Sequence, residues 1–392
     1  QRRQERQPQV PTPGARGPGA GVRRCPPHLD RNPTPTARVE QLEPLGAIMM
    51  ARELWLLLLP ALLLARAAGL GASPRAATAS GWARFLKVAD RYDAFLLDQF
   101  GVIHDGKNAY PGAAATVAEL LQRGKSVVIL SNSSRRRGEA AKKLGAMGFP
   151  EMPDIVTSGE AAWTLLRERP RAPFDASLGS SCAVFGNGED DLEYMATAGV
   201  DIAGVGEADF LFARGLFCVE DGTADKSYTD ERADAMLVAA RERDLPMIVA
   251  NPDFVRPDGK ASPMPGVIAA RYEKLGGTVH YIGKPHPMVY EQAFEMLAGR
   301  GIERSHVAAV GDSLLHDIRG AQQAGIDGIF VASGIHLKEL ALPEDATGAE
   351  PAEVVQPALD GLFREYSSRD AGIVCPPEHT VFEFADESEA QR

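Results

Sequence analysis

The sequence of 392 residues has few cysteines, and nothing in their spacing links them into a framework. Its 4 cysteines never stand as C-x-x-C. This pattern argues against a disulfide scaffold or a zinc site and favours buried thiols. A nicotinamide-binding fold is also set aside, because no G-x-G-x-x-G follows the first predicted strand.

The chain also lacks a long basic stripe. Its formal net charge is -11 and its sequence pI is about 5.3. A protein of this charge is not expected to bind nucleic acid. The run Arg135–Arg137 is the exception; it follows a predicted strand, where a solvated loop or a helix start is favoured over a phosphate-facing role.

No apolar run is long enough to span a membrane comfortably. The 12-residue stretch 54–65 follows Met49 and Met50 and has the length of a signal-peptide core. Small residues come next, and then a basic, Ser- and Ala-rich stretch without acids, which is typical of a transit peptide. We predict a disordered or non-native segment over 1–48 and a signal or transit peptide over 49–80. No stable span is expected in the mature protein, and organellar import is expected, with the plastid favoured over the mitochondrion or the secretory pathway.

Short apolar runs alternate with helix-period stretches from about residue 90 onward. We predict strands over Ala94–Asp98, Ser126–Asn132, Thr278–Lys284, Val307–Asp312 and Gly328–Ala332. The alternation predicts an α/β fold with a Rossmann-like, doubly wound parallel sheet. Ligands of such open sheets bind beyond the carboxyl ends of the strands, so the polar residues there are the candidates for function.

The first two runs end in residues suited to phosphate chemistry. Asp98 ends a strand and is followed by Gly101, so a turn exposes a carboxylate that can attack phosphorus; an Asp that merely caps a turn is as common. Ser131 and Asn132 end the next strand and can bind a phosphoryl oxygen. An N-cap for the following helix explains these two equally well.

The later runs supply a cation and a pair of acids. Lys284 precedes a proline and can neutralise a transferring phosphoryl group, although a lone loop lysine is usually solvated. Asp312 follows a strand and a glycine, and Asp317 lies near the start of the next helix. Oxygen ligands of this kind suit Mg²⁺, and we expect Asp317 to brace the ligands rather than to bind the ion.

These four segments, in this order, resemble the haloacid dehalogenase-like hydrolase superfamily, subfamily IIA, the branch with nitrophenylphosphatase-like and N-acetylglucosamine-phosphate phosphatase-like enzymes. The stretches VANPDFVRPDGK and GKPHPMVYE are similar to that branch. The resemblance covers residues from about 90 to 362. It implies an α/β cap domain inserted between the second and third segments, and hydrolysis of a small phosphate monoester.

The resemblance also implies a role for each residue of the phosphate site. Asp98 would be the nucleophile that forms an aspartyl-phosphate. Ser131 and Asn132 would bind the phosphoryl group, and Lys284 would hold it against Asp98.

A Mg²⁺ ion is the cofactor that the resemblance implies. Its ligands would be Asp98, Asp312 and the backbone carbonyl of Phe100, and Asp317 would support them.

One position departs from the family pattern. Phe100 stands where most phosphatases of the superfamily have a second aspartate, the general acid and base, whose loss typically costs about 10²–10⁴-fold in rate. The motif resembles a subgroup with an aromatic at this position. His104 or Asp105 could take over the general acid and base role, but we favour a role in the turn for both.

The alternative to an active phosphatase is a catalytically impaired protein that binds metal and phosphate. Dehalogenation and phosphonate cleavage are less favoured reactions for this fold.

The predicted domains are a core over 90–179 and 278–365, a cap over 180–277 and an acidic tail over 366–392. Within the cap we predict strands at Ala183–Gly186 and Asp209–Ala213. The segment Asn251–Asp253 is predicted to be a tight turn that returns the chain to the core, in preference to a substrate contact. Homo-oligomerisation through the cap is left open.

Overall fold

A computed structural model gives the fold over residues 82–150, 154–188, 190–254, 263–342, 348, 350–369 and 376–385. The upstream segment and the targeting peptide predicted over residues 1–80 lie outside these described residues, so they and the organellar localisation stay predictions. Within the described residues, no helix combines the length and the apolar character needed to cross a bilayer.

Strands and helices alternate along most of the chain. The strands are β1 (Ala94–Leu97), β2 (Ser126–Ser131), β3 (Ile155–Thr157), β4 (Ser181–Gly186), β5 (Asp201–Ile202), β6 (Phe210–Ala213), β7 (Cys218–Glu220), β8 (Met247–Val249), β9 (Val279–Tyr281), β10 (Val307–Gly311), β11 (Asp327–Val331) and β12 (His379–Val381). The helices are α1 (Phe85–Ala89), α2 (Ala113–Gln122), α3 (Arg137–Ala146), α4 (Ser158–Glu168), α5 (Asp191–Ala198), α6 (Asp230–Glu242), α7 (Pro265–Lys274), α8 (Pro287–Ala298), α9 (Arg319–Ala324) and α10 (Ala352–Arg369).

The first sheet is parallel throughout and has the order β12-β11-β10-β1-β2-β3. Its central strand β1 is buried on both faces. Because side chains alternate along a strand, Phe95 packs against Val117 of α2 on one face, and Leu96 packs in the cluster of Tyr290 from α8 on the other. Helices on both faces confirm the predicted doubly wound, Rossmann-like sheet.

A second sheet is inserted between β3 and β10. Its parallel strands have the order β5-β4-β6-β8-β9, and β7 pairs antiparallel with β4. Leu237 of α6 and Ile268 of α7 pack on one face, and Leu166 of α4 and Met195 of α5 pack on the other. The insertion is therefore an α/β unit, as the predicted fold class requires.

One predicted strand belongs to the other sheet. The run predicted over Thr278–Lys284 forms a strand only at Val279–Tyr281, and this strand pairs with β8 of the second sheet. It is a half-exposed edge strand, so its weak apolar pattern does not reveal which sheet it joins. The boundary predicted at residue 278 is accordingly too early, because the chain returns to the first sheet only after Tyr281.

The predicted acidic tail is also corrected. It begins inside α10, which ends at Arg369, and it contains β12, the edge strand that pairs with β11. Val381, Phe382 and Phe384 are buried there, and the ring centroid of Phe384 lies 4.6 Å from that of Phe85. Acidic residues between these apolar ones gave the segment the composition of a tail.

We expect Phe384→Ala to lower the free energy of unfolding by about 3–5 kcal/mol, because it opens a cavity beside Phe85. Urea denaturation measures the change. Leu192→Ala, at an exposed helix position, is the control and should stay within about 0.5 kcal/mol of the parent. Equal effects of the two substitutions would show that the segment is not part of the core.

Candidate active site

The candidate site lies where the order of the first sheet reverses. From β1 the chain continues to β2 and β3 on one side, and β10 to β12 lie on the other side. The backbone N–H of Asp98 donates to the carbonyl of Val310 at 2.9 Å, so Asp98 and Asp312 follow neighbouring strands. Side chains at the carboxyl ends of such strands converge on one crevice.

Three carboxylates meet in this crevice. Asp98, Asp312 and Asp317 each offer an oxygen, and these oxygens lie within 4.8 Å of one another. Asp312 is 2% exposed, and the N–H of Ile335 donates to its Oδ2 at 2.9 Å. A Cβ on Gly101 would lie 1.7 Å from that Oδ2, and Gly101 has a φ of +78°, so only glycine fits the turn after Asp98.

Lys284 is the cation at the centre of the cluster. Its Nζ lies 2.6 Å from Oδ1 of Asp98 and 2.7 Å from Oδ1 of Asp317, and the residue is 3% exposed. The amide of Asn132 fixes it from the next strand, because Oδ1 accepts from the Lys284 N–H at 2.7 Å and Nδ2 donates to the Lys284 carbonyl at 3.1 Å. The predicted lysine therefore reaches the predicted nucleophile.

The electrostatics of the cluster leave it short of positive charge. Burial raises the pKa of Asp98, Lys284 opposes this, and Asp317 adds to it. Burial and the charges of Asp98 and Asp317 raise the pKa of Asp312 well above its ordinary value. Burial alone would lower the pKa of Lys284, but Asp317 and Asp98 outweigh it and hold that pKa above its usual range. Two buried carboxylates and the partly exposed one of Asp98, with a single lysine, form an oxygen donor set that fits a small divalent cation.

The end of β2 presents Ser131 and Asn132 to the same cleft. Helix α3 begins at Arg137 with Arg136 as its N-cap, so neither residue caps that helix. The structure thus removes the capping alternative. The Arg135–Arg137 run lies at a helix start, as predicted; Arg135 pairs with Glu139 and lines the cleft only at its rim.

Residue 100 brings no acid to the cleft. The ring of Phe100 meets the ring of His104 edge-on, with centroids 6.3 Å apart. His104 is buried, its Nδ1 accepts from the N–H of Gly106 at 3.0 Å, and burial lowers its pKa to about 4. Asp105 is exposed and accepts from the N–H groups of Lys107 and Asn108, both at 2.7 Å. The side chains of both candidate substitutes therefore hold the turn that follows Phe100.

Asp253 and His316 also line the cleft, and the sequence does not predict either as a site residue. Asp253 forms the expected turn, with its N–H donating to Oδ1 of Asn251 at 2.9 Å, but the chain then continues to α7 and β9 of the second sheet, so the turn does not return it to the core. Oδ1 of Asp253 also accepts from Nδ2 of Asn132 at 2.8 Å. His316 lies in the π-helical turn Leu314–Ile318 and faces Asp253. The available signal was the position of Asp253 just beyond β8, at a carboxyl end of the second sheet.

The cleft itself has a volume of about 760 Å³ and is lined by both sheets. Asp98, Ser131, Asn132 and Asp312 line it from the ends of first-sheet strands, and Asp253 and Lys284 line it from segments that follow β8 and β9 of the second sheet. From the second come Asn187, Arg214, Leu216 and Phe217. The cleft is thus large enough for a small ligand held between the two units.

Comparison with known proteins places this geometry among hydrolases. A family model described as haloacid dehalogenase-like hydrolase matches residues 95–201, and one described as HAD-hydrolase-like matches residues 281–359. These two segments contain the carboxylates, the lysine and the end of β2 described above.

Relatives extend the similarity over the inserted sheet. Chronophin from Bos taurus is 29% identical over 268 residues, which cover 67% of this chain and 88% of that protein. Acid sugar phosphatase from Staphylococcus saprophyticus is 27% identical over 260 residues, covering 63% and 89%. The solved structure of 4-nitrophenylphosphatase from Thermotoga maritima is 26% identical with a TM-score of 0.52, covering 68% of this chain and 94% of that one.

We expect Lys284→Met to destabilise the fold by about 3–5 kcal/mol at pH 8 without metal, because buried carboxylates lose their cation. Without the lysine, the folded carboxyl groups bind protons more tightly than the unfolded ones. The loss should therefore shrink as the pH falls toward 5.5. Urea denaturation at both pH values in a chelator measures it. Lys142→Met, at an exposed position of α3, should have little effect at either pH. A loss that does not depend on pH would contradict the charge argument.

Proposed function

Because the chain belongs to the haloacid dehalogenase-like hydrolase superfamily, we propose that this phosphatase hydrolyses a small phosphate monoester with Mg²⁺, through an aspartyl-phosphate on Asp98. The observation that carries the proposal is the meeting of Asp98, Asp312 and Lys284 at the switch point of the sheet. The relatives reported above are named as phosphatases, which supports the assignment of the enzyme class.

Asp98 is the nucleophile in this proposal. Its carboxylate ends a central strand, partly open to the cleft, and Lys284 fixes one of its oxygens. Ser131, Asn132 and Lys284 hold the phosphoryl group in front of the other oxygen. Phosphoryl transfer depends mainly on such positioning and on neutralising the oxygens of the transferring group.

The residues that would hold Mg²⁺ are Asp98, Asp312 and the backbone carbonyl of Phe100. Asp317 supports them, because Lys284 takes its Oδ1 and the N–H of Ser313 donates to its Oδ2 at 3.1 Å. When bound, the ion would supply positive charge beside Asp98 and Asp312, and the raised pKa values of these two groups support this part of the proposal.

The second sheet acts as a cap in this proposal. Nδ2 of Asn187 donates to Oγ of Ser134 at 2.9 Å, and Nη2 of Arg214 donates to the Ser134 carbonyl at 3.1 Å. These bonds join the insertion to the loop that holds the phosphoryl group. A closed cap would exclude water and form the wall that contacts the leaving group.

The second candidate function is a protein that binds metal and phosphate without turnover. Phe100 favours it, because a phenyl ring can neither protonate a leaving oxygen nor activate water. Binding of Mg²⁺ and phosphate without hydrolysis of any ester in a broad panel would establish this alternative.

The nucleophile is tested with the chain from Ser80 onward, nitrophenyl phosphate and Mg²⁺. We expect Asp98→Asn to lower kcat/KM by on the order of 10⁴-fold or more, because the amide cannot form the acyl phosphate. Asp244→Asn makes the same chemical change at an exposed turn with a φ of +53°, which Asn tolerates, and should leave the rate unchanged. Turnover that survives Asp98→Asn would refute the assignment.

Mg²⁺ binding should depend on pH. The pKa values of Asp98 and Asp312 are raised, so the ion has to displace protons that ordinary aspartates would already have lost. Calorimetric titration should show affinity rising from pH 5.5 to 8, with proton release that diminishes as the pH rises. Asp312→Asn should abolish most of the binding, and equal affinity at both pH values would contradict the proposed ligand set.

A further inference from the structure

The cleft contains a carboxyl–imidazole pair that the chemistry above does not use. Oδ1 of Asp253 lies 3.8 Å from Nε2 of His316, and both side chains line the cleft with Asp98. They are partly exposed there, at 17% for Asp253 and 31% for His316. A ligand in the cleft can therefore reach either side chain.

Asn132 places Asp253 beside the phosphoryl site. Its Nδ2 donates to Oδ1 of Asp253 at 2.8 Å and also to the carbonyl of Lys284 at 3.1 Å. One amide thus ties Asp253 to the lysine that pairs with Asp98. The carboxyl of Asp253 lies on the segment that follows β8 of the second sheet.

The surroundings of Asp253 raise its pKa above the ordinary value of an aspartate. Burial raises its pKa; His316, the Asn132 hydrogen bond and Lys284 oppose this, and Asp98 adds to it. These groups come from the π-helical turn, the end of β2, the segment after β9 and the end of β1. A carboxyl group with a raised pKa in a cleft is suited to exchange a proton with a substrate.

The other acid–base candidates are placed less well. Phe100 has no exchangeable proton. Nδ1 of His104 is engaged by Gly106, and its Nε2 is shielded from solvent and has no partner among the described residues. Asp105 is exposed, binds two backbone N–H groups and lies outside the lining of the cleft.

We propose that Asp253, positioned by Asn132 and His316, is the general acid and base of the reaction, in the place of an aspartate at residue 100. This inference rests on the proposed function. An oxygen of Asp98 forms a bond to phosphorus while the bond from phosphorus to the leaving oxygen breaks. The proton of the Asp253 carboxyl passes to that leaving oxygen, which departs as an alcohol.

The second half of the reaction restores both carboxylates. A water oxygen bonds to phosphorus, one water proton goes to the Asp253 carboxylate, and the bond from phosphorus to the Asp98 oxygen breaks. Inorganic phosphate leaves, Asp98 is again a carboxylate and Asp253 is again protonated. No other reactant is needed.

The experiment compares the parent chain, Asp253→Asn, Asp98→Asn and the control Asp244→Asn on two substrates by rapid mixing with Mg²⁺. Nitrophenolate leaves without a proton, whereas the alkoxide of glycerol 2-phosphate needs one. With nitrophenyl phosphate, Asp253→Asn should release a burst of about one nitrophenolate per site and then turn over about 10²–10³-fold more slowly than the parent. With glycerol 2-phosphate, the turnover of Asp253→Asn should fall below that of the parent by at least the same factor, and no burst should appear.

The outcomes separate this inference from the proposed function. If Asp98→Asn is inactive while Asp253→Asn matches the parent on both substrates, only the role of Asp253 is overturned. If Asp98→Asn keeps its turnover, the proposed function fails as well. His104→Gln is made in parallel; a burst pattern there and not in Asp253→Asn would assign the proton to His104 and overturn the inference.

Two measurements exclude a folding defect in Asp253→Asn: the burst amplitude counts the competent sites, and a thermal melt compares the variant with the parent.

A second variant, His316→Gln, tests the assignment without changing Asp253. Because His316 lowers the pKa of Asp253, that pKa should rise when the imidazole is removed. The ascending limb of the pH profile for nitrophenyl phosphate, which reports the deprotonated base, should move to higher pH, and an unchanged limb would contradict the assignment.

Discussion

The meeting of three carboxylates, two of them buried, around one lysine is the constraint on which the site depends. Taking such charges out of water costs several kcal/mol for each ion unless partners compensate. The chain supplies these partners from separate segments: Lys284 for Asp98 and Asp317, and backbone N–H groups for Asp312 and Asp317. What remains is a deficit of positive charge, which makes the crevice receptive to a divalent cation and a phosphoryl group.

The two sheets contribute different residues to this cluster and to the cleft around it. The first sheet places Asp98, the proposed nucleophile, and Asp312 after neighbouring strands, where the register fixes their separation. The second sheet has no part in that register, but its connecting segments deliver Asp253 and Lys284 and close one side of the cleft. Asn132 joins the two contributions through hydrogen bonds to both residues. The chemistry is therefore assembled by contacts between units as well as within one sheet.

The sequence predicts the site residues whose position follows from the ends of parallel strands. Asp98, Ser131, Asn132 and Asp312 follow apolar runs, and the rule for parallel sheets brings them to one edge. Lys284 reaches the crevice as predicted, although the strand before it belongs to the second sheet and not to the first. The loop after β9 carries it there. The sequence predicts only a turn at Asp253, because the hydrogen bond that brings it to the site joins it to Asn132, 121 residues away along the chain. The edge strand β12 was missed because acids between its neighbouring apolar residues masked their burial.

A crystal structure with Mg²⁺ and an unreactive phosphate mimic measures the central claim most directly. The account predicts one ion with oxygens of Asp98 and Asp312 both at about 2.0–2.1 Å and the mimic in contact with Lys284. An ion bound without Asp98, or a mimic held away from the Asp98 carboxylate, would contradict the account while leaving the fold intact.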